Sequence, residues 1–273
     1  MARADSRTIP LAGTMPLTGV SSEPPGQLTL ASFFERRAPD IRSGWAWDNY
    51  RPTIEAFVRE MGLTRLLEIG GGRSPLFTLP EAQELGVTLT VNDISEEELR
   101  NAPEGFDTAC FDISDSGAVT DERKERHDLI FSRMVFEHVK DVRTAWSNVR
   151  QLLAPGGVGI AFIPTLYALP YVANMAIPEA VSSRVVKLLY PHRTDDSEPK
   201  FPAHYDWAFS DERKLRPMLE GVGFSDVHIV PFYGHDYFAK LPVLREADEM
   251  LTRLAIRRDW RSLTAYAYIV ARR

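Results

Sequence analysis

The chain has 273 residues, 44% hydrophobic and 26% charged, the balance of an ordinary globular protein with enough apolar mass for one large domain or two small ones. Its formal net charge of -6 argues against broad nucleic-acid binding, and its single cysteine, Cys110, excludes an internal disulfide and any multi-cysteine metal cluster. No apolar run reaches the roughly 18 residues of a membrane-spanning helix, and no basic segment followed by an apolar stretch marks a secretory signal, so a cytoplasmic location is expected.

Residues 1–30 are rich in Pro, Gly, Ser and Thr and have no period, which reads as a disordered leader. Ala31 to Met61 reads as helical in pieces, with Trp45, Trp47 and Tyr50 close together and Ile54, Phe57, Val58 and Met61 at helical spacing. This segment, 31–62, is expected to form an N-terminal helical cap that packs on the core, presents its aromatic rings to a ligand, or does both. From Arg65 onward, short apolar runs alternate with helical segments, the pattern of a parallel sheet covered by helices. Strands are expected at Arg65–Ile69, Thr88–Asn92, Asp107–Phe111, Asp128–Ser132 and Val158–Ile163. A helix is expected over about Ser74–Leu85. A second carries Val142, Ala145, Trp146, Val149, Leu152 and Leu153 on one face and is stopped by Pro155-Gly156-Gly157. Cys110, in an apolar strand pattern, reads as a buried, inert thiol.

The alternation breaks after Pro164. A mostly apolar helical stretch runs from about Leu166 to Tyr190, within an insertion spanning 164–202. Order resumes with Ser210 as N-cap of a further helix, bent by Pro217 and ended by Gly221-Val222-Gly223-Phe224, then a strand from about Asp226 to Pro231. The last strand, Leu263–Ala271, follows a helix-rich excursion and is expected to insert antiparallel to its neighbour.

The chemistry gathers at the strand ends, where an open parallel sheet binds its ligands. The first strand delivers Glu68 and then Gly70-Gly71-Gly72, a turn stripped of Cβ atoms that lets backbone N–H groups approach a ligand. The second delivers Asp93, about 20 residues beyond the turn, the separation of a carboxylate that binds vicinal ribose hydroxyls. The third delivers Asp112 and Ile113, suited to an adenine amino group and ring face, and the fourth delivers Ser132 and Arg133. Any one of these is equally well a helix cap or a surface residue; their occurrence together at four strand ends argues against that.

Leu66-Leu67-Glu68-Ile69-Gly70-Gly71-Gly72, Asp93-Ile94-Ser95, Asp112-Ile113, His127-Asp128-Leu129-Ile130-Phe131-Ser132, Phe136-Glu137-His138-Val139 and Leu152-Leu153-Ala154-Pro155-Gly156-Gly157 together resemble the ordered motif series of class I S-adenosylmethionine-dependent methyltransferases. The resemblance is strong over Arg65–Pro164 and weaker to the end of the chain. It implies an α/β, Rossmann-like fold: a seven-stranded, mostly parallel sheet with helices on both faces, an antiparallel last strand, the N-terminal cap, and a methyltransferase domain over 63–273 that carries the 164–202 segment as a helical lid. It implies S-adenosyl-L-methionine as cofactor. Gly70, Gly71 and Gly72 then pass beneath its methionine portion, and Glu68 orders the turn. Asp93 takes the ribose hydroxyls with Ile94 against the adenine, Asp112 and Ile113 hold the adenine edge, and Ser132 with Arg133 lies at the methionine end. Arg73-Ser74-Pro75 departs from the small residues common after this turn, and places Arg73 beside the cofactor or in solvent. A rival nicotinamide oxidoreductase would need Gly-x-Gly-x-x-Gly to seat a pyrophosphate, and here Ser74-Pro75 stands where the last glycine belongs. A cofactor-binding scaffold without activity is the second rival.

On the acceptor side, methyl transfer to an alcohol benefits from a general base. His204 and His138 are the candidates, with His192 and His235 further from any motif. Tyr205, Asp206 and Trp207 are candidates for binding a sugar or other ring. No cluster has metal-ligand spacing, so no metal is expected. The expected acceptor is an oxygen on a small molecule or glycan, a lipid-linked saccharide or secondary metabolite among them. The 166–190 stretch reads either as a lid or dimer helix pair, giving a homodimer, or as a peripheral surface for a lipid-linked acceptor with Arg184, Lys187 and Arg193 facing phosphates.

Overall fold

A computed structural model describes residues 28–166, 202–235, 238 and 242–273. The leader up to residue 27, nearly all of the 164–202 insertion, and His192, Arg184, Lys187 and Arg193 lie outside the described residues. The leader's last residues do belong to the fold. Leu28 and Leu30 are buried, the Leu30 N–H donates to Asp226 at 2.7 Å, and Thr29 caps the first helix.

In chain order the elements are α1 (Leu30–Arg37), α2 (Ser43–Met61), β1 (Arg65–Ile69), α3 (Leu79–Glu84), β2 (Thr88–Asp93), α4 (Glu96–Arg100), β3 (Asp107–Cys110), β4 (His127–Arg133), α5 (Val142–Leu152), β5 (Leu153–Pro164), α6 (Glu212–Val222), β6 (Asp226–Tyr233), α7 (Pro242–Arg257) and β7 (Thr264–Arg272). Single 3-10 turns stand at Phe136–His138 and Arg261–Leu263. The strands form one seven-stranded sheet in the order β3-β2-β1-β4-β5-β7-β6. β3, β2, β1, β4 and β5 pair in parallel; β7 runs antiparallel between β5 and β6, as expected of the last strand. The chain order reverses between β1 and β4, which places the ligand-binding crevice above those two strands.

Alternation along each strand sends side chains to two separate cores. Leu66, Phe131, Phe162 and Tyr268 face α1 and α2 on one side, while Leu67, Ile69, Ile130 and Ala161 face α5 and α6 on the other. The first core is dense in aromatic rings; Phe33 of α1 stacks on Phe57 of α2 at 4.0 Å between centroids. Each such buried ring contributes roughly 1.5–3 kcal/mol relative to exposure. Among the described residues no helix is long and apolar enough to cross a membrane.

Four local expectations are corrected. Helix α3 begins at Leu79 rather than near Ser74, because the Glu68 carboxylate takes the Leu76 N–H and holds the preceding chain in the turn. Thr78 then starts the helix through a capping box with Glu81. Cys110 is exposed, because β3 is the edge strand and little covers it. Asp211, not Ser210, caps α6, accepting the Arg213 N–H at 3.1 Å; the Ser210 hydroxyl is buried and donates to the Arg261 carbonyl at 2.8 Å. Finally, α5 passes directly into β5 at Leu153, so Pro155-Gly156-Gly157 lies in the irregular start of that strand, where its register against β4 shifts.

Candidate active site

The glycine turn is shaped by what presses on it. Gly70 has φ 70°, and a Cβ there would stand 2.5 Å from Val135 Cγ2 in the loop after β4. Gly72 has φ 45°, and a Cβ would stand 2.8 Å from an Asp93 carboxylate oxygen. Both conformations and both approaches favour glycine. Beneath Gly71 lies Glu68, 4% exposed, whose carboxylate accepts the Leu76 N–H at 2.9 Å. Burial pushes this carboxyl up to about 7, and the Leu76 hydrogen bond only partly offsets the effect. The turn therefore rests on a buried carboxyl that ties its two sides together. Arg73 turns to α4, where Nε and Nη2 each approach a Glu98 oxygen at 2.5 Å.

The remaining sequence-derived residues gather around this turn, at the C-terminal ends of the parallel strands. Asp93 ends β2; one oxygen accepts the Ser95 N–H at 2.9 Å, and partial burial raises its carboxyl above the ordinary value. Ile94 follows it and is 57% exposed, an apolar surface at the crevice rim. Asp112, beyond β3, accepts both the N–H and the hydroxyl of Ser114, and Ile113 is buried. Ser132, near the end of β4, is buried, and its hydroxyl oxygen has no hydrogen-bond partner among the described residues. Arg133 next to it is exposed.

Three supporting side chains carry no motif signal. The Asn92 amide donates to the carbonyls of Ala109 and Phe111 at 2.8 and 3.0 Å, fixing the exit of β3. Asn148, from α5, donates to Ile113 and Asp115 at 2.8 and 2.7 Å. The Tyr50 hydroxyl, from α2, donates to the Ser132 carbonyl at 2.6 Å. A buried polar residue within an apolar strand or helix face was the only trace of Asn92 and Asn148 in the sequence; Tyr50 showed only as part of an aromatic group.

The segment that carries His204 docks by its backbone beside His138. The Glu137 carbonyl accepts the backbone N–H groups of His204 and Tyr205 at 2.7 and 3.0 Å, so the 202–210 segment docks on the turn after β4. His138 Nε2 lies 3.8 Å from Glu137 Oε1, and its Nδ1 lies 3.3 Å from the Pro202 carbonyl. Glu137 is 4% exposed, burial pushes its carboxyl up to about 7, and Oε2 has no partner among the described residues. The His204 side chain is exposed. Tyr205 and Trp207 both have φ 51°, a strained backbone for residues with side chains, and both rest against the second core. Between them, Asp206 accepts the Val142 N–H at the start of α5, at 3.3 Å. His235 lies apart, beyond β6, paired with Asp248. No group of His, Cys, Asp or Glu among the described residues is placed to hold a metal ion.

A mostly parallel sheet with a glycine turn after β1, an acid at the end of β2 and a strand-order reversal between β1 and β4 defines a Rossmann-like nucleotide-cofactor fold. The family model described as a methyltransferase domain matches residues 27–229, and the chain belongs to that family, as a class I S-adenosylmethionine-dependent methyltransferase. No curated protein matches the chain. Among solved structures, a SAM-dependent methyltransferase from Archaeoglobus fulgidus is 18% identical over 85% of this chain and 100% of its own, with TM-score 0.46. One from Mesorhizobium loti is 19% identical over 78% and 91%, with TM-score 0.46. A phosphoethanolamine N-methyltransferase from Haemonchus contortus is 15% identical over 89% of this chain and 57% of its own, with TM-score 0.46. The family assignment stands on the sequence match.

The residues present fit S-adenosylmethionine. The Ser132 hydroxyl is an orphaned buried polar atom near the end of β4, Asp93 ends β2 with a carboxylate of the kind vicinal hydroxyls donate to, and Ile94 offers an exposed apolar face beside it.

Proposed function

We propose that this methyltransferase acts on an oxygen of a small-molecule or glycan acceptor, with His204 as general base and His138 beside it. In this reading Asp93 holds the ribose, Ile94, Asp112 and Ile113 the adenine, and Glu68, Gly70, Gly71, Gly72, Ser132 and Arg133 the methionine end. When bound, the cofactor supplies a methyl group on a positively charged sulfur, a leaving group good enough that no activating metal is required. What remains for the chain is to align the acceptor, exclude water and remove a proton. The observation that carries the reading is the docking of the His204 backbone on the Glu137 carbonyl, next to His138, with Val135 of the same loop against Gly70. An alcohol must lose a proton as its oxygen becomes methylated, and an imidazole suits that task near neutral pH.

Tyr205, Asp206 and Trp207 belong to the same docked segment and are proposed to line the acceptor cavity from the side of α5. Helices of 31–62 act as a cap in this reading, and the 164–202 insertion as a lid or contact surface. The protein is taken to work in the cytoplasm.

Calorimetry with S-adenosylhomocysteine tests the cofactor part: Asp93→Ala is expected to abolish measurable binding, and retained micromolar affinity would refute the ribose role. Stabilisation against heat by S-adenosylhomocysteine but not by NAD is expected as well, since a ligand bound only by the folded state raises apparent stability. For the base, His204→Ala should lower turnover of an alcohol acceptor by two orders of magnitude or more, and should leave cofactor affinity unchanged. Unchanged turnover would remove His204 from that role.

A further inference from the structure

The described residues enclose a cleft of about 260 Å³ that none of the assigned residues lines. It lies where β6 ends, between the start of α2 and one face of α7, and its walls include Arg42, Ser43, Tyr233, His235, Arg245 and Arg253. Because β6 and β5 both run antiparallel to β7, β6 is parallel to β4 and β5 and finishes at the same end of the sheet as the glycine turn and Ser132. The cleft is thus on the cofactor end of the molecule but displaced toward its far edge. Three strand steps separate β4 from β6 in the sheet order, about 14 Å at the usual spacing of ~4.8 Å. Along α2, the rise from Ser43, in the cleft wall, to Tyr50, bonded to the Ser132 carbonyl, is roughly 10 Å. Trp47, between them on α2, is 44% exposed, and its indole is propped edge-on by Phe162 and Tyr266, with ring centroids 4.9 and 5.6 Å away. Trp47 therefore presents an apolar ring face between the two places.

The charges in the cleft do not cancel. His235 Nε2 is 3.3 Å from Asp248, and Arg245 Nε is 3.8 Å from Glu249, which engages both carboxylates of the wall. Asp40, nearby in sequence, turns an oxygen to the backbone N–H of Arg42 at 3.1 Å. Among the described residues, neither the Arg42 nor the Arg253 guanidinium has a carboxylate partner, and the two belong to different elements that converge on one concavity. Two arginines lining one cleft suit a phosphate group, to whose oxygens a guanidinium can donate two parallel hydrogen bonds.

We propose that this cleft is an acceptor subsite for a phosphate-type anion, held by Arg42 and Arg253, and that the acceptor is an elongated molecule whose anionic end lies 10–14 Å, to order of magnitude, from the atom that is methylated. The inference rests on the methyltransferase reading for its direction: the reacting end lies toward His138 and His204, and the body of the acceptor crosses Trp47. A neutral glycan or a purely apolar metabolite would have no use for the two arginines.

The test uses the full chain and inorganic pyrophosphate as probe, with calorimetric titration of the wild type, the double variant Arg42→Gln/Arg253→Gln, and Arg257→Gln. Arg257 lies on the same helix outside the cleft and controls for loss of surface charge. Saturable binding to the wild type is expected, at least tenfold weaker in the double variant and unchanged in Arg257→Gln. Titration of S-adenosylhomocysteine into the same three proteins should give one affinity, which also shows that the double variant is folded. Equal pyrophosphate affinity in all three, a matching loss in Arg257→Gln, or no saturable binding to the wild type would each overturn the proposal. Failure of S-adenosylhomocysteine to bind any of the three would instead strike the cofactor reading, and the pyrophosphate comparison would still decide whether the cleft binds anions.

Discussion

At the scale of single residues the site is a set of close approaches. Gly70 is the sharpest. A side chain there must adopt φ 70° and put a methyl group 2.5 Å from Val135 Cγ2. The left-handed conformation costs a non-glycine residue roughly 1–2 kcal/mol, and forced repacking adds a comparable amount. Gly70→Ala is therefore expected to lower stability by about 2–4 kcal/mol in urea titration. Adding Val135→Ala should recover the packing share and leave the backbone share. A single variant within ~0.5 kcal/mol of wild type would mean that the turn relaxes freely. Residues of this kind were legible in advance, since Gly70, Asp93 and Ser132 stand at fixed offsets from strands whose apolar runs are plain. Asn92, Asn148 and Tyr50 were not, because their hydrogen bonds reach carbonyls 17 to 82 residues away, and periodicity records only near neighbours.

Among the elements, α2 joins sequence-distant parts of the crevice. It lies across the ends of β6, β7 and β5 and reaches β4 through the Tyr50 hydroxyl, its only polar bond to that strand among the described residues. Tyr50→Phe keeps the ring contacts with Phe162 and Tyr268 and removes that bond alone. A loss of about 1 kcal/mol in stability is expected, together with weaker S-adenosylhomocysteine binding, because the Ser132 end of β4 loses its anchor. A stability loss with unchanged cofactor affinity would show that α2 supports the sheet without shaping the site. The strands from β1 to β5 and the helix α5 were readable because hydrophobic period and motif order agreed, whereas the short α4, with no buried residue to set a period, was not expected. Boundaries failed where a tertiary bond outweighed local propensity. The Glu68 bond to Leu76 delays α3, and the Arg261 carbonyl draws Ser210 away from capping α6. Cys110 was misread because an apolar run does not reveal that its strand is the sheet's edge.

For the whole molecule, the two buried carboxyls at the site tie stability to pH. Burial raises Glu68 and Glu137 from an ordinary 4.5 to about 7 in the folded protein. A folded state that holds a proton more tightly than the unfolded chain is stabilised at low pH, and the advantage disappears as pH rises from 4.5 to about 7. Two histidines oppose this trend. Burial depresses His127 to about 4 and lowers His228, so their contributions are full above the unfolded value near 6.5 and fade below it. The wild-type profile alone is therefore a partial cancellation, and the informative quantity is a difference between proteins. Glu68→Gln keeps the shape and an acceptor for the Leu76 N–H while removing the titration. Wild-type stability minus that of the variant is expected to fall between pH 4.5 and 7, by at most roughly 3 kcal/mol, and to be level above pH 7. Glu137→Gln should give a difference of the same sign in the same window. Urea unfolding at half-unit pH steps measures both curves. A difference that rises through this window would mean that the carboxyl is stabilised as an anion in the fold, the glycine turn then resting on a charge rather than on a neutral acid.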